Sequence, residues 1–368
     1  MDNDGPKYRQ IWNSLKSAIE TGDYAPGVRL PSEFELVKSY GASRVTVSRA
    51  LKELQNGGYI SRRAGSGTYV RESGATTYTF GLLIPELGQT EIFEPICQGM
   101  VAAQQEYNHL LIWGPQLDSA TVSVEKAKEA CARLIASRVS GVFFAPIEAT
   151  PLKNEVNLAI VAALKKAGIA MVLLDRDIFD YPERSNLDVV GIDNRRAGCV
   201  VTRHLLRAGC TRIVFLGRPD LAPSCIARSV GYRDALANSQ EKMGSAFIER
   251  LDPSDKTAVQ RVLERHRPDG IVCSNDRTAA LLMRTLTELN VEIPEEIRIV
   301  GFDDVKYASL VAAPLTTIHQ PCDQLGAAAI RAMAERIANA EMPARDILVD
   351  FRLVVRESCG TPKSAGAA

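Results

Sequence analysis

The feature that most constrains this chain is a long alternation of short apolar runs with amphipathic stretches, from residue 78 to residue 302. A short run of β-branched and aromatic residues reads as a buried strand. A longer stretch with apolar positions three and four apart reads as a helix. Strands are expected at Tyr78–Ile84, Leu110–Trp113, Gly141–Ala145 and Ala170–Leu174, with helices at Phe93–Tyr107, Val124–Ser137 and Glu155–Ala167 between them. The rhythm resumes with strands at Val189–Ile192, Arg212–Leu216, Ala246–Leu251, Gly270–Ser274 and Ile297–Phe302. Helices at Arg195–Ala208, Ile226–Asn238, Thr257–His266 and Arg277–Asn290 separate them. Repeated strand–helix–strand units imply parallel sheets with helices on both faces. Two halves of similar length and rhythm imply two lobes with a cleft between them.

The first 72 residues follow another pattern. Ser32, with Glu35 three residues on, makes a capping box before the apolar residues Leu36, Val37 and Tyr40. Gly41 permits a tight turn. Ser43 then caps a second helix whose Val47, Ala50, Leu51 and Leu54 share one face. Arg44, Val45, Thr46, Ser48 and Arg49 lie around the opening turns and away from that stripe, as residues that read DNA bases must. Arg44 has the reach for a bidentate bond to guanine, a contact worth ~1–3 kcal/mol of discrimination. Lys52 and Arg62 suit phosphates, which add affinity without sequence information. Two strand-like pieces around Gly65, Ser66 and Gly67 form a small hairpin, with Arg62 and Arg63 at its base.

This run of cap, turn, helix and glycine hairpin resembles the winged helix-turn-helix of the GntR family of bacterial transcription regulators. The resemblance implies DNA contacts from Ser32 and Glu33 as well as from the second helix and the wing. It fails at Phe34, where that family often carries a DNA-touching arginine; operator sequence is the property this puts in doubt. The alternating body resembles the type-I periplasmic-binding-protein fold in the form used by LacI-family repressors. The matching residues are Val190-Gly191-Ile192-Asp193-Asn194, Arg228-Ser229-Val230-Gly231-Tyr232-Arg233, Asn275-Asp276, Val300-Gly301-Phe302-Asp303-Asp304 and Pro314-Leu315-Thr316-Thr317-Ile318. A GntR-like head on such a body resembles the arabinose-repressor type of regulator. The expected domains are a head over 1–72, a polar linker over 73–77 and a two-lobed body over 78–368.

In parallel α/β sheets, ligands sit beyond the carboxyl ends of the strands. Asp175 and Arg176 follow one predicted strand, Asn275 another and Asp303 a third, and Arg228 opens the helix after Leu216-Gly217. The family resemblance places ligand contacts at Arg228, Asn275 and Asp303. Phe93 and Trp113 are candidates for stacking on a sugar face, and Gln320 is a weaker candidate where the chain crosses between lobes. Asp193, Asp276 and Asp304 read as helix caps instead. Acidic residues favour a neutral sugar or polyol as effector, while Arg176 and Arg228 keep an acidic one open.

Composition narrows the remaining classes. The 368 residues hold 44 basic and 44 acidic side chains, yet residues 1–72 hold 11 basic and 8 acidic ones, so the basic excess is confined to the head. That fits a regulator better than a protein that coats nucleic acid. Eight scattered cysteines without a Cys-x-x-Cys pair point to no zinc, no disulfide frame and a cytoplasmic location. The polar opening Met1-Asp2-Asn3-Asp4 is no signal peptide, and no long apolar run suggests a membrane span. No nucleotide, metalloprotease or serine-hydrolase motif occurs, so neither a cofactor nor an enzyme is expected. The expected partners are double-stranded operator DNA, a small sugar-like effector and a second copy of the chain. The competing classes are a solute-binding protein that kept the fold without acting on DNA, and an enzyme on a sugar.

Overall fold

The computed structural model describes residues 6–25, 27–63, 67–70, 78–84, 92–103, 108–115, 117, 121–148, 150–239 and 245–360. The expected linker at 73–77, residues 104–107 of the first body helix, and Gly65 and Ser66 of the wing lie outside them. The head comprises α1 (Lys7–Glu20), α2 (Glu33–Tyr40), α3 (Arg44–Asn56), β1 (Ile60–Arg63) and β2 (Gly67–Val70). The strands pair antiparallel with Ile60 opposite Val70 and Arg63 opposite Gly67. Ile11, Leu15, Leu36, Val47, Leu51 and Leu54 close one small core. Helix α1, which supplies Ile11, Trp12 and Leu15, is an addition to the elements expected from sequence.

The body has two six-stranded sheets. The first is built from β3 (Tyr78–Leu83), β4 (His109–Trp113), β5 (Gly141–Phe144), β6 (Ala170–Leu174), β7 (Asp188–Gly191) and β13 (Asp346–Leu348), in the order β13-β7-β6-β5-β3-β4 and parallel throughout. The second contains β8 (Ile213–Gly217), β9 (Phe247–Arg250), β10 (Gly270–Cys273), β11 (Arg298–Asp303), β12 (Thr316–His319) and β14 (Arg352–Val354). Its order is β14-β12-β11-β10-β8-β9, parallel except for β14. The strand expected to open the second half, β7, therefore stays in the first sheet. Its position follows from tertiary pairing with β6 and β13, which no local pattern encodes.

Helices cover both faces of each sheet. Helices α5 (Val124–Ala136) and α6 (Lys153–Lys166) bury Ala127, Leu134, Ile160 and Leu164 against one face of the first sheet. On its other face lie α4 (Phe93–Ala102) and α11 (Cys322–Ala338). In the second lobe α7 (Asn194–Arg207) and α8 (Pro223–Ala237) take one face, and α9 (Lys256–His266) and α10 (Asp276–Glu288) the other. The pairs α4–α11 and α7–α8 pack backbone to backbone. A Cβ on Gly99 would strike the Asp323 carbonyl, one on Gly326 that of Ile96, and one on Gly231 that of Arg195. Only glycine admits so close an approach.

The chain passes between lobes three times: after β7 near Ile192-Asp193, after β12 at Gln320-Pro321, and between β13 and β14. Among the described residues, no helix is long and apolar enough to cross a membrane.

Candidate functional site

The head presents its polar face as the sequence implies. Ser32 Oγ accepts from the Glu35 amide at 3.3 Å while Glu35 Oε2 accepts from the Ser32 amide at 2.7 Å. The Ser32 amide draws the exposed Glu35 carboxyl below its usual value. Gly41 takes the left-handed conformation, φ 53°, that ends α2. Ser43 Oγ accepts from the Thr46 amide at 3.2 Å and lies 2.7 Å from Thr46 Oγ1, so α3 starts with its free amides exposed. Val47, Ala50, Leu51 and Leu54 are fully buried. The opposite face leaves the Arg44 side chain 84% exposed and Val45 80% exposed, with Ser48 half-buried. Exposed Arg49 lies over the Tyr8 ring at 3.8 Å. Glu33 bridges helix and wing, 3.5 Å from Arg44 Nε and 3.0 Å from Arg62 Nη2. Phe34 is exposed on α2, so it does not replace the family arginine by packing inward. Gly67 opens β2 against the Arg29 guanidinium. The side chain of Arg63, like Gly65 and Ser66, lies outside the described residues.

In the body, six of the seven predicted ligand residues, Phe93, Asp175, Arg176, Arg228, Asn275 and Asp303, line one cavity between the lobes. The seventh, Gln320, stands behind it. Arg228 is 3% exposed, and its guanidinium is fully directed. Nε donates to Asn194 Oδ1 at 2.8 Å, Nη1 to the Ser274 carbonyl at 2.8 Å, and Nη2 to Asp303 Oδ1 at 3.3 Å. Its Cζ lies 4.6 Å from the centre of the Phe302 ring. Gln320 Nε2 donates to the same Asp303 oxygen at 2.7 Å. Asn194 follows the first crossing and Gln320 begins the second, so the crossing segments themselves hold Arg228 and Asp303. Asp303 sits at φ 114°, a backbone region that asparagine and aspartate tolerate better than most residues.

On the facing lobe, Asp175 and Arg176 leave the end of β6. Arg176 Nη1 donates to Asp175 Oδ2 at 2.7 Å, and Nε to the Pro146 carbonyl at 3.0 Å. Glu148, beyond β5, stands 3.5 Å from Nη2. Asp175 Oδ2 also accepts from Ser224 Oγ, at 3.1 Å, across the cleft. Two buried atoms here have no hydrogen-bond partner among the described residues, Asp175 Oδ1 and Arg176 Nη2. The cavity they border is about 40 Å³, room for a water or two. The lobes must therefore part to admit anything as large as a sugar.

Burial governs the charges. It pushes the Asp303 carboxyl up to about 6, helped by the charge on Asp175 and opposed by Arg228 and Gln320. Asp276, wholly buried beneath it, is raised well above the usual carboxylate range by burial and by Asp303. Burial works against the charge on Arg176, yet Glu148 and Asp175 hold it protonated.

Three expectations need correction. Trp113 is 53% exposed on the edge strand β4 and does not line the cavity, because the switch between β3 and β5 turns β4 away from the cleft. Asp276 is not a cap: Asn275 caps α10 by accepting from the Thr278 amide at 2.9 Å, while Asp276 turns inward to accept from Thr317 Oγ1 at 2.6 Å. Nor does Asp304 cap a helix; it joins His319 at 2.8 Å to Arg356 at 2.6 Å. Asp193 does cap α7. Glu148, Asn194, Ser224 and Tyr307 are site residues that sequence reasoning missed. The strand-end rule that found Asp175 applies equally to Glu148, four residues past β5.

Head and cleft together define a class: a DNA-binding winged helix-turn-helix joined to a two-lobed ligand-binding body. Comparison with known proteins agrees. Residues 7–70 match the family described as bacterial regulatory proteins, gntR family, and residues 202–359 match the periplasmic binding protein-like domain. The arabinose metabolism transcriptional repressor of Geobacillus stearothermophilus is 26% identical over 367 residues, covering 96% of this chain and 97% of that one. The fold is that of a transcriptional regulator CelR–cellobiose complex, with TM-score 0.63, 23% identity, and 86% and 90% of the two chains covered. It is also that of a LacI family regulator from Enterococcus faecium with bound ribose, with TM-score 0.61, 24% identity, and 76% and 98% covered. The chain is a DNA-binding transcriptional regulator with a GntR-family head and a LacI-type, periplasmic-binding-protein-like body.

Proposed function

We propose that this chain is a cytoplasmic, homodimeric repressor that binds a near-palindromic operator and responds to a small sugar held between its lobes. Arg44 and Val45 would read base edges, Ser43 and the amides at the start of α3 would take a phosphate, and Arg49, Arg62 and Arg63 would follow the backbone. Ser32, Glu33, Thr46, Ser48 and the wing glycines Gly65 and Gly67 with Ser66 would complete that surface. Phe93, Asp175, Arg176, Arg228, Asn275 and Asp303 would contact the effector, with Gln320 holding Asp303.

The observation that carries the effector reading is the pairing of opposed polar groups across one cavity. Arg228 and Asp303 are fixed on one wall, and Asp175 Oδ1 and Arg176 Nη2, which lack a hydrogen-bond partner among the described residues, lie on the other. The names of the similar proteins, with arabinose, cellobiose and ribose, support a sugar. A ligand that bridges both walls favours one lobe arrangement over another. A coupling of ~1–3 kcal/mol would then change operator affinity about 5- to 150-fold. The test is fluorescence anisotropy of the full chain on duplex DNA from upstream of its own gene, at fixed salt, with and without each sugar in a screen. Specific binding that one sugar shifts supports the reading. Binding that does not distinguish this DNA from a scrambled duplex, or that no sugar moves, overturns it.

A further inference from the structure

The charge arrangement of the cleft goes further than a sugar in general. A site for a phosphate or carboxylate presents donors whose positive charge is still unspent. Neither buried guanidinium here is in that condition. Arg176 is shared between Asp175 at 2.7 Å and Glu148 at 3.5 Å, and Arg228 faces Asp303 at 3.3 Å. Three carboxylates thus stand against two buried arginines, and Arg277 is exposed at the rim. What the first wall does offer is a neighbouring acceptor and donor, Asp175 Oδ1 and Arg176 Nη2, both buried and both without a hydrogen-bond partner among the described residues.

We propose that the cleft selects an uncharged polyhydroxyl ring, and that Glu148 and Asp175 exclude its phosphorylated and carboxylated forms. The inference rests on the cleft being the effector site. A hydroxyl can give its proton to Asp175 Oδ1 and accept from Arg176 Nη2 in one position. A phosphate or carboxylate brings no proton to Oδ1 and meets two like charges in a poorly solvated space. Glu148 is the residue that converts Arg176 from an anion receptor into a hydroxyl donor. It stands 3.5 Å from the arginine in the cavity wall, so its role is to set specificity.

The test is titration calorimetry of the full chain with L-arabinose, D-ribose and cellobiose, and in parallel with D-ribose 5-phosphate and L-arabinonate. The expected result is a neutral sugar that binds at least about 100-fold more tightly than its charged counterpart. Glu148→Gln leaves Arg176 with Asp175 as its one remaining counter-ion in the cavity wall and should narrow that preference about tenfold or more. A phosphorylated or acidic sugar that binds the wild type as tightly as its neutral parent overturns the selectivity and leaves the sugar-sensor reading standing. If no compound in either set binds, both fall together. An unchanged preference in Glu148→Gln, with the variant folded by circular dichroism, removes Glu148 from the proposal.

Discussion

Asp303→Asn should make the protein more stable at neutral pH while weakening its response to effector. The carboxylate lies within 3.3 Å of Arg228 and 2.7 Å of Gln320, and an ion pair in such a place is commonly counted as stabilising. Burial outweighs the pairing here, as it often does in a dry interior, and holds the carboxyl at about 6 against an ordinary 3.8. A raised carboxylate binds its proton more strongly in the folded protein than in the unfolded chain. Stability from this group is therefore highest in acid, falls as pH climbs from about 3.8 to 6, and stays level above that. A carboxyl held so far above its ordinary value costs the folded state roughly 3 kcal/mol at pH 7. Asparagine resembles the protonated side chain in shape, still accepts from Gln320 and suits the positive φ. The variant should thus behave as the protonated wild type at every pH. The gain should be on the order of 2–3 kcal/mol at pH 7, or roughly 5 °C or more in Tm, with about half of it present at pH 5. Thermal denaturation followed by circular dichroism between pH 5 and 8 measures this. A wild type more stable than Asp303→Asn at pH 7, or a gap that does not change with pH, would refute the reasoning.

Arg44→Ala should lose specific operator binding with the body intact, measured by anisotropy on operator and scrambled duplexes at one salt concentration; equal loss on both would make Arg44 a phosphate contact only. Gly231→Ala drives a Cβ into the Arg195 carbonyl, where no side-chain rotation gives relief, so α7 and α8 must separate. A loss of roughly 3 kcal/mol or more is expected in urea unfolding, together with a weakened effector response, because Arg228 sits on α8 and Asn194 on α7. A cost below about 1 kcal/mol would mean that the helices shift apart easily.

The parts legible in sequence are those whose causes are local. Ser32, Glu35, Gly41 and Ser43 act on backbone groups a few residues away, so the α2–α3 unit can be read without knowing what it packs on. Asp175, Asn275 and Asp303 were legible because a parallel sheet puts all its strand ends on one side. Asn194, and the bond by which Gln320, a candidate at the crossing, supports Asp303, belong to another category. Their roles come from where the chain crosses between lobes, which depends on β7, β12 and β13 joining sheets far from their own neighbours in sequence. The exchange of roles between Asn275 and Asp276 has a similar cause. Both residue types cap helices, and it is the Thr317 hydroxyl, 41 residues on, and the Val305 amide that draw Asp276 inward. Trp113 misled because an exposed aromatic after a strand suggests a sugar platform, whereas the side of the switch point on which β4 lies is a property of the whole sheet.

The glycine contacts of α4 with α11 and of α7 with α8 also bear on how such a sensor can acquire a new stimulus. At those glycines no side chain stands between the helices, so there is little at these points for substitution to tune; a change there loosens a lobe. The groups at the strand ends are mounted on rigid supports but are not part of them. Glu148, Asp175, Arg176 and Asn275 can in principle be exchanged for others while the frame that turns closure into motion stays as it is. Re-targeting by directed evolution should therefore find its productive variants at the strand ends, and its dead ones along the two glycine seams.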